Sequence, residues 1–212
     1  MAKTAAAQRS GVALTRVATD VTLLPGFVGT AALMDEIETI AAVAPFRHLR
    51  TRGGVMTVAM TNCGAWGWHS DPRGYRYVET DPLTGRRWPA MPPLLRALAA
   101  DAAERGGFPG FAPDCCLVNC YAVGAQMGVH RDFDELDMRH PIVSVSIGLP
   151  ATFLWYGASR SGTPCRVPVE DGDVLVWGGC ARAGYHAVRR VAAPTSGAPA
   201  GARFNLTFRR AR

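Results

Sequence analysis

At 212 residues the chain is long enough for one domain with a substantial core and short for two. Hydrophobic residues make up 48% and charged residues 19%, and no apolar run approaches the roughly 20 residues a membrane-spanning helix needs, so a soluble, cytoplasmic protein without a membrane partner is expected. The net charge of +6 suits a polyanionic partner such as nucleic acid, although charge alone fits a merely soluble basic protein as well.

The chain opens on "MAKTAAAQRSGVALTRVAT", which is acid-free and interrupted by Arg9 and Arg16, so it lacks the apolar core of a secretory signal. Organelle transit peptides share that composition, but a flexible leader over residues 1–13 is the preferred reading, followed by a single domain over 14–212. Leu33, Ile37, Ile40 and Ala41 recur at helical spacing within residues 31–46, and Pro45 ends the run. A second helix is expected in "MPPLLRALAADAAERGGF", entered through Pro92 and Pro93 and stopped by Gly106 and Gly107. The stretch between them alternates and is punctuated by Gly and Pro, which suggests hairpins and loops.

After residue 114 the pattern changes to short β-branched or aromatic runs: "CCLVNCYA", "IVSVSIGL", "ATFLWYG", "CRVPVE", "DVLVWGG", "HAVRRV" and "RFNLTFRR". Seven strands at this spacing argue for a sandwich or jelly roll, with the two helices covering one sheet. The six cysteines show neither a CxxC pair nor zinc spacing and read as reduced, mostly buried thiols.

Within "GVHRDFDELDMRHP" the carboxylates Asp132, Asp134, Glu135 and Asp137 crowd between two histidines. His130 and Asp132 stand two apart, so in extended chain they lean to one side and converge. That pair alone is a weak signal. His186, at the start of a later strand, would complete a two-histidine, one-carboxylate facial triad of the kind that binds Fe(II) and leaves three positions open. On the last strand Arg203, Asn205, Thr207 and Arg209 share one face, while Phe204, Leu206 and Phe208 share the other. Such a face is ordinarily solvated; beside the triad, its two guanidiniums suit a dicarboxylate. His48 and His69 read as surface residues, His140 as a turn residue or partner of a ligand, Asp137 as solvated and Trp177 as core.

Several ordered motifs together, "MTVAMTNCG", "GW" at 67–68, "GYRY", "DPLTGRRWPAMP", "LVNCYAVGAQMGVHRD", "HPIVSVSIGLPATF", "GDVLVWGG", "YH" and "RFNLTFR", closely resemble the bacterial AlkB family of 2-oxoglutarate- and Fe(II)-dependent nucleic-acid dealkylases. The resemblance runs from about residue 14 to residue 210. It implies an α+β fold: a double-stranded β-helix, or jelly roll, over 114–210, N-terminal helices packed on one sheet, and a β-hairpin substrate lid over 50–80. It implies Fe(II) on His130, Asp132 and His186, and 2-oxoglutarate held by Asn119, Tyr121, Arg203, Asn205 and Arg209, with O2 as the other reactant. Trp68 and His130 fall where the family sandwiches the damaged base, Tyr75, Tyr77, Asp134 and Arg160 at substrate contacts, and Met60 and Glu135 beside them.

The implied reaction oxidises the N-methyl group of 1-methyladenine or 3-methylcytosine, releasing formaldehyde, succinate and CO2. Both bases are cationic, so Asp134 and Trp68 would favour them over neutral bases. The substrate would be alkylated single- or double-stranded DNA, with RNA as a further candidate, bound by a monomer. Its phosphates would meet Arg73, Arg76, Arg131 and Arg160. Two departures leave strand preference and phosphate contacts open: Phe133 and Cys120 stand where the best-known bacterial member has basic residues. Two rival readings remain, the same oxygenase chemistry on a protein or small molecule, and a non-catalytic nucleic-acid-binding jelly roll that keeps a metal for stability.

Overall fold

The computed structural model describes residues 14–193 and 201–212. The expected leader over 1–13 and most of the Ala/Pro-rich loop before the last strand lie outside the described residues. Strands β1 (Thr15–Ala18) and β2 (Val21–Leu24) precede helix α1 (Ala31–Val43). Four strands follow, β3 (Arg47–Thr51), β4 (Gly54–Gly64), β5 (Gly67–Asp71) and β6 (Gly74–Val78), and then helix α2 (Pro93–Arg105). Eight more complete the chain: β7 (Cys115–Tyr121), β8 (Met127–His130), β9 (Ile142–Gly148), β10 (Ala151–Gly157), β11 (Cys165–Val169), β12 (Val174–Trp177), β13 (Tyr185–Val188) and β14 (Arg203–Arg209). Both expected helices and all seven expected strands are present. The additional strands β1, β2 and β8 are four residues each, too short to show a period.

One sheet has the order β1-β2-β12-β9-β14-β7-β4-β3, a second β11-β10-β13-β8, and β5-β6 form a separate hairpin. Alternation along β9 fixes the layers. Val143, Val145 and Ile147 join Leu33, Ile37 and Ile40 of α1 and Leu95, Ala99 and Ala102 of α2 in one apolar cluster. Ile142, on the other side of β9, packs with Phe153 of β10, Val167 of β11 and Val188 of β13 in a second cluster. The eight-stranded sheet is therefore covered by helices on one face and by the four-stranded sheet on the other. Gly106, at the end of α2, lets the helix approach β12 closely: a Cβ there would lie 2.6 Å from the Val176 side chain. Among the described residues no helix is long and apolar enough to cross a membrane.

The thiol expectation holds for Cys63, Cys115 and Cys116, which are buried, but Cys165 and Cys180 are exposed and Cys120 is half-buried. Cys165 opens β11, an edge strand, and Cys180 lies in the turn before β13, so neither position has a layer over it.

Candidate active site

Strands β8 and β13 pair with His130 directly opposite His186, which brings their ring centroids to 4.3 Å. The Nδ1 of His130 lies 2.8 Å from the Gly128 carbonyl, and that of His186 lies 3.0 Å from the Gly184 carbonyl. A carbonyl only accepts, so each Nδ1–H donates and each Nε2 keeps its lone pair. Asp132 Oδ2 is 3.8 Å from His186 Nε2 and, although buried, has no hydrogen-bond partner. One ligand atom from each of the three residues lies within 4.8 Å of the others.

Charge states suit a metal as well. Burial, reinforced by His130, pushes His186 down to about 3, so its imidazole is neutral. Phe153, Trp155 and Trp177 surround that ring and supply the burial. Burial also opposes charge on Asp132, but the Arg209 guanidinium 2.9 Å away outweighs it and holds the carboxyl well below the usual range. The two Nε2 atoms and one carboxylate with an orphaned oxygen fit Fe(II).

The polar face of β14 is buried, contrary to a solvated strand: Arg203 is 3% and Arg209 5% exposed. It is paired in register with β7, Arg203 opposite Tyr121 and Asn205 opposite Asn119. The two arginines differ in their partners. Arg209 donates to Asp132 Oδ1 at 2.9 Å and lies 3.5 Å from Glu135 Oε1. Arg203 meets only neutral groups, Ser146 Oγ at 3.0 Å, the Phe204 carbonyl and the Tyr121 ring, and among the described residues it has no carboxylate. Its Nε is buried without a partner. Asn205 donates to Ser144 Oγ and accepts from Asn119 and Thr207, which leaves the Asn119 Oδ1 unsatisfied. A lone buried guanidinium beside neutral donors carries uncompensated desolvation, which a bound anion would offset.

Triad and polar face open into one cavity of about 260 Å³, which Trp68, Tyr75, Met60, Asp134 and Trp177 also line. Trp68 stacks on Tyr75 at 5.3 Å and donates from Nε1 to Asp134 Oδ2 at 3.0 Å. Asn62 fixes the Trp68 backbone, accepting its N–H at 3.0 Å and donating to its carbonyl at 3.1 Å. The spacing of a side chain six residues upstream gave no signal for this bracket.

Three expected contacts stand elsewhere. Tyr77 and Glu135 do not line the cavity: Tyr77 Oη donates to Glu135 Oε1 at 2.6 Å behind it. Glu135 is drawn inward by Arg182, a buried cation 2.9 Å from its Oε2. Arg182 also donates to the backbone carbonyls of Asp132 and His140, tying the segment that carries Asp132 to the turn before His186. Sequence reasoning missed Arg182, since one arginine in a Gly-rich turn has no distinguishing pattern. Arg160 is exposed in the β10–β11 loop, away from the cavity wall.

Of the arginines expected at phosphates, Arg73 and Arg76 both pair with Asp71, whereas Arg131 reaches the cavity edge. Asp137 pairs with Arg139, and His69 is half-buried near Asp71 rather than a free surface residue. His140 passes its backbone carbonyl to Arg182, and Trp177 is core as expected, 2% exposed.

With this geometry in view, comparisons with known proteins are specific. Residues 20–209 match the model of the 2OG-Fe(II) oxygenase superfamily. The chain is 46% identical over 186 residues to the alpha-ketoglutarate-dependent dioxygenase AlkB of Salmonella typhimurium, covering 87% of this chain and 86% of that one. It is 42% identical over 210 residues to the alpha-ketoglutarate-dependent dioxygenase AlkB homolog of Caulobacter vibrioides, covering 94% of each. The solved structure of OsALKBH1 superposes with a TM-score of 0.81 at 26% identity, over 93% of this chain and all of that one. A jelly-roll scaffold, a donor set suited to Fe(II) and a cation awaiting an anion thus coincide with these likenesses, and the chain belongs to the 2OG-Fe(II) oxygenase superfamily and, within it, to the AlkB dioxygenases.

Proposed function

We propose that this protein is a cytoplasmic, monomeric dioxygenase that demethylates 1-methyladenine and 3-methylcytosine in DNA, with RNA as a second substrate. The observation that carries the reading is Arg203, a buried guanidinium without an anion, in the same cavity as the His130, Asp132 and His186 donors. In this reading those three hold iron, and Arg203 takes the far carboxylate of 2-oxoglutarate with Asn119, Tyr121 and Asn205 around the chain between. Iron and 2-oxoglutarate, when bound, would supply the oxidising chemistry, in which one atom of O2 goes to 2-oxoglutarate as it becomes succinate and CO2 and the other enters a methyl C–H bond.

The chain's own residues then select and orient. Trp68 offers its ring face to the cationic base, an attraction of about 0.5–2 kcal/mol. Asp134, held by the Trp68 indole, adds a carboxylate at the same wall. A methylated Watson–Crick edge cannot pair, so extruding that base into the cavity costs less than extruding a normal one. Arg209 holds Asp132 ionised through Nη2, and its Nη1, buried and unpartnered at the cavity wall, is left for the end of 2-oxoglutarate nearer the metal donors. The hydroxymethyl amine left on the base breaks down to formaldehyde and the restored base.

The test is incubation with Fe(II), ascorbate, 2-oxoglutarate and a 1-methyladenine oligonucleotide. Formaldehyde should appear in step with succinate, and His130→Ala should release neither. An unchanged oligonucleotide in the presence of verified bound iron would reject the reading, and succinate formation stimulated by a protein or small metabolite instead would favour the rival substrate class.

A further inference from the structure

Beside the cavity, two aromatic rings, Phe133 and Tyr185, flank Arg131, which lines its edge. Phe133 is 55% exposed although it sits between Asp132 and the Trp68 partner Asp134. The Arg131 guanidinium lies 4.5 Å over the Phe133 ring and 5.3 Å over the Tyr185 ring, so Phe133, Arg131 and Tyr185 form one stack. Arg131 is at the cavity edge, and among the described residues it forms no ion pair. A single exposed phenylalanine is ordinary on a protein surface. Here a cation lies against one face of the ring and the residue remains 55% exposed, so the other face is accessible. The cation's unused N–H groups lie beside it.

We propose that Phe133 is a stacking platform for an unpaired nucleobase adjacent to the one that enters the cavity, with Arg131 serving the connecting phosphate. The proposal rests on the reading of the substrate as nucleic acid and narrows it to single strands, because a paired neighbour keeps both faces inside the duplex. The chemistry is that of single-strand binding, in which an aromatic side chain takes a base face and a neighbouring cation takes the backbone. A net charge of +6 suits the same partner. Tyr75, stacked on Trp68 and 56% exposed, borders the mouth on the hairpin, so a strand threaded over the site meets aromatic groups from both elements.

The experiment measures dissociation constants by fluorescence anisotropy for the full chain loaded with Fe(II) and 2-oxoglutarate under nitrogen. The probe is a single-stranded DNA carrying one 1-methyladenine. Phe133→Ala should raise Kd by about 5- to 150-fold, the usual effect of losing one base–aromatic stack. Phe133→Trp should bind at least as tightly as the native chain. When both nucleotides flanking the lesion are replaced by abasic residues, the difference between native chain and Phe133→Ala should vanish. An unchanged Kd for Phe133→Ala on the ordinary strand overturns the platform, and so does a deficit that persists in full on the abasic strand, which would make Phe133 a support for the protein rather than a base contact. If the native chain binds the strand but leaves its methyl group in place, the demethylation reading falls while these Kd values still decide the platform. If it binds no strand, both fall.

Discussion

Removing the Arg203 guanidinium should move stability and catalysis in opposite directions. Without 2-oxoglutarate this side chain is a buried cation with no carboxylate. Replacing such a group by an apolar one of similar volume is often stabilising, by about 1–4 kcal/mol. Arg203→Met should therefore melt at a higher temperature than the native chain when both are free of ligands. The same variant should need at least 100-fold more 2-oxoglutarate for half-maximal succinate production, since breaking a buried charge pair costs about 3–5 kcal/mol. A lower melting temperature would mean that Arg203 supports the fold rather than the ligand. The cysteines give a second check at this scale. Burial holds the Cys115 and Cys116 thiols protonated, and a hydrogen bond to Asp20 raises Cys180. Iodoacetamide on the native protein should label Cys165 first, Cys180 more slowly, and Cys63, Cys115 and Cys116 only after unfolding; mass spectrometry of labelled peptides reads the order. At this scale His130, Asp132 and Arg203 were legible because a period of two places alternate residues together. Arg182 and Asn62 were not, because each acts through backbone groups that any sequence possesses.

The β5–β6 hairpin shows how an element can be held by side chains more than by its own ladder. A two-stranded ribbon is marginal alone. Trp68 and Tyr77 latch it to Asp134 and Glu135, neighbours on the segment that also carries Asp132. A hydrogen bond to an ionised partner is worth about 1.5–3 kcal/mol, so Tyr77→Phe should raise the open population of the hairpin roughly tenfold or more. Arg76 lies inside β6, where trypsin needs the strand released. Cleavage after Arg76 should accelerate by that factor at low protease; an unchanged rate would show that the latch contributes nothing. Most elements were legible for the same reason that they form: β7, β9 and β14 carry runs long enough to display alternation. β8 was missed as a strand because four residues, one of them Gly128, present no pattern, and only its pairing with β13 makes it one.

Across the whole molecule, the site sits between layers that the chain assembles from distant segments. His130 and His186 belong to the four-stranded sheet, while Arg203 and Asn119 belong to the eight-stranded one. Alternating Ser144 and Ser146 look neutral in sequence and become receptors for Asn205 and Arg203 only when β9 lies beside β14. Iron and 2-oxoglutarate, in the proposed arrangement, connect the two sheets through their side chains, and the unfolded chain has no such site to offer. A ligand that binds only the folded state at 100 times its Kd adds about 2.7 kcal/mol. For a chain of this size that corresponds to roughly 5–10 °C in melting temperature. Under nitrogen, which prevents turnover, Fe(II) should raise the transition and 2-oxoglutarate should raise it further. His130→Ala should reduce both increments, because it removes a donor that would hold the ion and, through the ion, one end of the diacid. Arg203→Met should keep the iron increment and lose the second one, which ties the effect to the guanidinium rather than to the ion. If 2-oxoglutarate stabilised Arg203→Met as strongly as the native chain, the cation would not be its anchor, and the division of labour between the two sheets would have to be redrawn.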